Sequence, residues 1–267
     1  MPHDRRLALV TGASSGIGQA LAERLARDGH DLIVVARRRD RLTALAERLT
    51  DETGAEVEVL VADLTAADDV HRLKERVAGE PRLHLLVNNA GFAGYGPFVE
   101  LDPATAEDLV AVHVLAPLQV TRAALPGMIA RGRGAVVNVA SLLALSGPLK
   151  IGMAGRATYA GAKSFLLAFT QSLAGELEGT GVHAMACLPG MVESEFHGIR
   201  RGSVPGLPIM SSEDVARAIV VGLELGEVVC APGVDDPGLF DQLRDLQQAT
   251  LASGNRTGEL AARYRQA

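Results

Sequence analysis

The chain has 267 residues, with 26 Lys and Arg against 32 Asp and Glu for a net charge of −6, and 48% of its residues are hydrophobic. That is the balance of an ordinary globular protein, and an acidic chain whose longest basic run is Arg37, Arg38 and Arg39 lacks the electrostatic footprint of a nucleic-acid binder. Its uninterrupted apolar stretches fall well short of the ~20 residues that cross a bilayer, and MPHDRR leads straight into a strand, so neither a membrane span nor an export signal is expected.

Strand-type apolar runs fall at 7–10, 31–36, 57–63, 83–88, 135–141, 182–188 and 228–231. Helical periodicity fills 16–28, 39–53, 66–78, 105–131, 156–178 and 212–225, with helical segments again beyond 237. The strands are almost continuously apolar, as they are when helices cover both faces of a sheet. The pattern therefore predicts an α/β fold, a doubly wound parallel sheet of about seven strands in a single domain over 1–267. Only 193–211 is irregular and rich in Gly and Pro; it is expected to act as a substrate lid, and 237–267 as a helical tail. Cys187 and Cys230 are too few for a disulfide framework and spaced wrongly for zinc, and seven histidines show no ligand spacing. A reducing cytoplasm and no metal are expected. The two thiols read as inert and buried in apolar strands.

The first strand runs into TGASSGIG, which places Gly12, Ser14, Ser15, Gly16, Ile17 and Gly18 in the turn that opens the first helix. A pyrophosphate must approach backbone N–H groups at such a helix terminus, and a Cβ there would obstruct it. A tight strand-to-helix turn is the plainer alternative. Where the second strand ends, Arg37 stands in the place of the acid that would read an NAD ribose hydroxyl. A guanidinium suits a 2′-phosphate, so NADP is expected over NAD; a solvated helix start is the alternative reading. Tyr159 and Lys163 lie four apart in a helical pattern and share a face. With three tyrosines and three lysines in the chain, a chance pairing at this offset is expected only about 0.03 times. An ammonium beside a phenol favours phenolate, so Tyr159 is placed to exchange a proton with an alcohol or carbonyl, and Ser141, at the end of the fifth strand, to fix the substrate oxygen.

TGASSGIG at 11–18, Asp63-Leu64, NNAG at 88–91, NVAS at 138–141, YAGAK at 159–163 and PGMVES at 189–194 occur in order, and over about 5–235 the chain resembles the short-chain dehydrogenase/reductase family. The resemblance implies a Rossmann-type fold in which Tyr159 is the proton donor or acceptor, Lys163 holds the nicotinamide ribose and lowers the tyrosine pKa, and Ser141 positions the substrate. It further implies that Asp63 and Leu64 flank the adenine, that Asn89, Ala90 and Gly91 line its ribose side, and that Pro189, Gly190, Val192 and Ser194 lie along the nicotinamide. Ala36-Arg37 looks like the NADP-preferring members, and homodimers or homotetramers are usual in the family. Two features depart from it. Seventeen residues separate Ser141 from Tyr159 where relatives have about a dozen, and AVHVLAPL puts His113 where relatives carry a relay asparagine. His113 is accordingly a candidate relay residue whose ionisation near neutrality would add to the pH profile.

Phe92, Tyr95, Leu142, Leu143, Met153, Met191 and Phe196 follow strand ends and are candidates for an apolar substrate pocket, or equally for core. The reaction expected is hydride transfer between NADP(H) and a small or medium apolar carbonyl or alcohol. A catalytically silent dinucleotide-binding regulator is an alternative. An epimerase or dehydratase is a weaker one, because about 75 residues after Pro189 leave little room for a substrate domain.

Overall fold

In the computed structural model, which describes residues 5–150, 155–193, 195, 208–254, 256 and 258–265, the strands are β1 (Leu7–Thr11), β2 (Asp31–Ala36), β3 (Val57–Val61), β4 (Leu83–Asn88), β5 (Gly134–Val139), β6 (Val182–Cys187) and β7 (Val229–Cys230). All pairings are parallel, in the order β3-β2-β1-β4-β5-β6-β7. The helices are α1 (Gly16–Arg27), α2 (Arg39–Thr53), α3 (Ala67–Val77), α4 (Pro103–Val110), α5 (Ala116–Ala130), α6 (Ala157–Glu176), α7 (Ser212–Leu225) and α8 (Gly238–Gly254). The sheet belongs to the unit Met1–Pro232; Gly233–Ala267 forms a second unit built on α8, none of whose residues is buried.

Two apolar cores explain the near-continuous hydrophobicity of the strands. Ala8, Val10, Leu32 and Val34 pack with α1, α2 and α7 on one face, while Leu7, Leu9, Ile33 and Val35 pack with α3, α5 and α6 on the other. Cys187 and Cys230 stand side by side across β6 and β7, both buried.

The helix expected over 105–131 is one rod with a fault in it. Between α4 and α5 the backbone widens into a π-type turn over Ala111–Leu115. Pro117 is the local cause: it has no N–H for the His113 carbonyl four residues earlier, and its ring would clash with that carbonyl in a regular turn. The rod from Pro103 to Ala130 is long and apolar enough to cross a membrane, and Leu109, Val112, Val120, Ala124 and Met128 lie buried against the protein.

A buried polar chain joins this rod to α6 through the sheet. Asn88 donates through Nδ2 to Thr121 Oγ1 (3.0 Å) and to Asn138 Oδ1 (2.8 Å), and Asn138 Nδ2 donates to Thr170 Oγ1 (2.8 Å). Asn138 is fully buried, so Asn138→Ala leaves two partners unsatisfied. We expect it to lower the unfolding free energy by about 2 to 4 kcal/mol, read as a lower urea midpoint at unchanged m-value.

Candidate active site

β1 lies between β2 and β4, and the crossover after β1 runs toward β2 while the one after the adjacent β4 runs toward β5 and the opposite edge of the sheet. The crevice this opens at the carboxyl ends of the strands is where ligands bind in such sheets. Here it is a cleft of about 440 Å³ running from Arg37, Arg38 and Asp63 at one end to Ser141, Tyr159 and Lys163 at the other.

The glycine turn forms one wall. Gly12 and Gly16 have φ of 70° and 57°, in the left-handed region, and a Cβ on Gly12 would come within 2.7 Å of Asn89 Nδ2. Gly12, Ser14, Ser15, Gly16 and Ile17 line the cleft. Gly18 does not; its role is packing, since a Cβ there would lie 2.4 Å from the Gly12 carbonyl oxygen. The side chain of Ser15 makes no cap on α1 and the first turn carries no acid, so the N-terminal N–H groups keep their partial positive charge for an anion. A clasp sets the turn against β4: Asn89 N and Ala90 N both donate to Thr11 Oγ1 (2.9 and 3.0 Å), and Asn89 Nδ2 donates to Thr11 O (2.8 Å). Thr11, which sequence reasoning passed over, is thus the joint between two motifs. These donors and this shape fit a dinucleotide.

The basic end differs in detail from the expectation. Arg37 lines the cleft but is 67% exposed, with Nη1 3.8 Å from Asp63. Arg38 turns inward, donating to Ser14 Oγ (2.9 and 3.1 Å) and Ser15 Oγ (2.7 Å), and Arg38 and Arg41 together hold the Glu195 carboxylate at 2.6 and 2.8 Å. The two guanidiniums hold Glu195 below the usual carboxylate range. A carboxylate thus occupies an oxyanion position between two guanidiniums at the mouth of the cleft. The signal for Arg38 was present in the Arg37-Arg38-Arg39 run, but only the turn decides which arginine faces in.

At the far end Ser141 caps a short 3₁₀ turn (Leu142–Leu145), its Oγ accepting from Leu143 N at 3.1 Å, and the Ser141 and Tyr95 side chains lie beside the Tyr159 phenol and act on its ionisation. The Tyr95 ring meets Tyr159 edge-on at 5.2 Å. Lys163 donates to Val139 O (2.8 Å), with Nζ 5.7 Å from the Tyr159 ring centre. Burial sets the ionisations here. It pushes the Tyr159 phenol far up, helped by Tyr95, and pushes Lys163 down to about 7. The expected lowering of the tyrosine by the lysine is therefore overridden: a lysine only partly charged at neutrality exerts a weak pull on a buried phenol. Tyr159 is held protonated.

His113 lies on the π-type turn, 1% exposed, its ring 5.4 Å from that of Tyr159 and its Nε2 3.1 Å from Phe92 O. Its Nδ1 is buried with no hydrogen-bond partner. Burial, reinforced by Lys163, drives its pKa well below 6.5, so the ionisation expected near neutrality does not arise. Gly91 makes room for the imidazole, since a Cβ there would sit 2.2 Å from His113 Cε1.

Of the remaining expected contacts, Asp63, Leu64, Asn89, Ala90, Gly91, Pro189, Gly190 and Val192 line the cleft, as does Phe92. Leu142, Leu143 and Met191 are not among its lining residues; they follow strand ends, but Leu142 N and Met191 O are engaged by the neighbouring loops at Pro189 and Met210. Met153, Ser194, Phe196 and most of 193–211 lie outside the described residues. The long connection from Ser141 to Tyr159 is anchored by Arg156, which donates to Ser146 O (3.0 Å) and Leu149 O (2.5 Å), and by Gly96 N donating to Gly155 O (2.8 Å), next to Tyr95.

A sequence profile for short chain dehydrogenases matches residues 6–202. A short chain dehydrogenase of Pseudocercospora fijiensis is 40% identical over 195 residues, which take in 72% of this chain and 61% of that protein. A short-chain dehydrogenase from Sphingobium yanoikuyae, solved in complex with NADPH, superposes with a TM-score of 0.89 at 37% identity over 97% of this chain and 100% of that one. The bulky-bulky ketone specific alcohol dehydrogenase from Comamonas testosteroni does so with a TM-score of 0.87 at 32% identity, covering 97% and 98% of the two chains.

Proposed function

The chain belongs to the short-chain dehydrogenase/reductase family, and from that premise we propose that it is an NADP(H)-dependent oxidoreductase reducing an apolar ketone or aldehyde. One observation carries the reading: Ser141, Tyr159 and Lys163 line one end of the cleft together, Tyr159 beside Ser141 and one helical turn from Lys163. The bound nicotinamide supplies or accepts the hydride. The chain does the rest. Ser141 Oγ and Tyr159 Oη converge on a single carbonyl oxygen, and Tyr159, protonated by burial, donates the proton that the developing alkoxide requires. Lys163, with a pKa near 7, replenishes that proton with little driving force against it. His113, neutral, contributes position rather than charge.

Phe92, which lines the cleft, and Tyr95, edge-on to Tyr159, support an apolar substrate, and the ketone specificity of the Comamonas relative supports a carbonyl of some bulk. NADPH in the Sphingobium relative, with Arg38 and Arg41 at the adenosine end here, supports NADP over NAD. Exposed Val110, Leu115 and Leu118 on the α4–α5 rod would suit a second copy of this chain in a homo-oligomer. Titration with NADPH and NADH, followed by a ketone panel graded by size and read by loss of reduced-nicotinamide absorbance, tests the reading. The expected result is tighter NADPH binding and turnover of aryl or branched ketones; NADH binding as tight as NADPH would refute the cofactor assignment, and no turnover across the panel would favour the silent regulator.

A further inference from the structure

The end of the sheet opposite the cleft, where β1, β4 and β5 begin, holds a second cavity of about 310 Å³. Arg5, Arg6, Arg82, Arg131, Arg133 and His84 converge on it. Helix ends account for part of this cluster: Arg5 Nη2 donates to Thr53 O (3.0 Å) at the end of α2, and Arg131, which caps α5, donates to Leu83 O (2.8 Å). Arg82 is met by acids, with Asp31 at 3.0 Å and Glu56 at 3.4 Å. The rest is not accounted for. Arg5 Nη1 is buried with no partner, and Arg6 and Arg133 reach no carboxylate among the described residues. Arg6 instead lies with Nη1 3.4 Å from His84 Nε2. The crowding registers on His84, which burial, Arg6 and Arg133 among others push down to about 4.

In a chain of net charge −6, like charges gathered around a recess are a cost unless a counter-anion shares it. We propose that this cavity is a binding site, separate from the dinucleotide cleft, for a small soluble polyanion of the di- or triphosphate class. Planar guanidiniums offer such oxyanions paired, charge-assisted hydrogen bonds. Neutral His84 keeps an acceptor for the Arg6 guanidinium and adds no positive charge of its own.

Inorganic tripolyphosphate, titrated calorimetrically, is the probe. Arg6 and Arg133 are exposed, so the double variant Arg6→Ala/Arg133→Ala is expected to keep the thermal midpoint of the free protein and to bind tripolyphosphate at least ~10-fold more weakly. The charge-matched double variant Arg122→Ala/Arg217→Ala, far along the surface helices, and Arg38→Ala in the cleft are expected to bind like wild type. An equal loss in the Arg122/Arg217 protein would mean general electrostatics, a loss confined to Arg38→Ala would put the anion in the dinucleotide cleft, and no binding by wild type would remove the site; each overturns the proposal.

Discussion

Tyr159→Phe is expected to bind NADPH as wild type does and to turn over at least ~10² more slowly, a loss of about 2.7 kcal/mol in transition-state stabilisation. The substitution keeps the ring that packs edge-on against Tyr95 and His113, so the fold and the cleft wall remain. What it removes is the hydroxyl, which lies beside Ser141. Tyr95 provides an internal comparison, because its ring meets that of Tyr159 edge-on. Tyr95→Phe is expected to change KM for bulky ketones more than kcat, and to leave kcat within about tenfold of wild type. A Tyr159→Phe protein retaining more than a tenth of the wild-type rate would take the acid role away from that residue. The pH–rate profile should also lack a His113 step between about pH 6 and 7.5, since burial keeps the imidazole neutral there.

Arg38→Ala should weaken NADPH binding by about 1.5 to 3 kcal/mol, roughly 10- to 100-fold in Kd, and leave NADH binding nearly unchanged. The guanidinium bridges Ser14 and Ser15 on the glycine turn and grips the Glu195 carboxylate. A 2′-phosphate offers the same oxygen geometry with more charge. Glu195→Gln, which removes the competing charge, should tighten NADPH binding by a few-fold. Arg37→Ala is the control, and its effect should be the smaller, because Arg37 is directed toward solvent and Asp63. If Arg37→Ala proved the more damaging of the two, the reading from strand position alone would be right and the reading from geometry wrong.

The comparison between Arg37 and Arg38 illustrates what was legible in the chain. Strand and helix positions were recoverable because burial on both faces leaves a two-core pattern in the central strands, and the observed bounds of β2, β4 and α2 coincide with the apolar and periodic runs. Tyr159, Lys163 and Ser141 were recoverable because a helical offset and a strand end fix their neighbourhood. Which side chain turns inward just past a strand depends on the backbone of one residue: Arg38, with φ −88° and ψ 90°, is extended ahead of α2 and swings into the cleft. The π-type turn was hidden for a related reason, since hydrophobic periodicity tolerates one extra residue per turn while Pro117 decides where it goes. The ionisations were not legible at all. Charge proximity reads from spacing, but desolvation depends on what covers the pair, and it is burial that dominates at Tyr159, Lys163 and His113.

The Thr11 clasp has a consequence for how the chain reaches its native state. Leu7 pairs with Leu83 across β1 and β4, and Thr11 takes hydrogen bonds from Asn89 and Ala90, so the first strand finds its second neighbour only after some seventy intervening residues have been threaded through three crossovers. Loop closure over that span must come before the contacts that reward it, which slows folding of parallel sheets. Until β4 docks, the glycine turn has no wall and a dinucleotide nothing to sit against. Cofactor capture is therefore a late event in refolding, and a chain emerging from the ribosome would carry an open, adhesive β1–β2–β3 sheet edge for as long as its partner strand remained unmade.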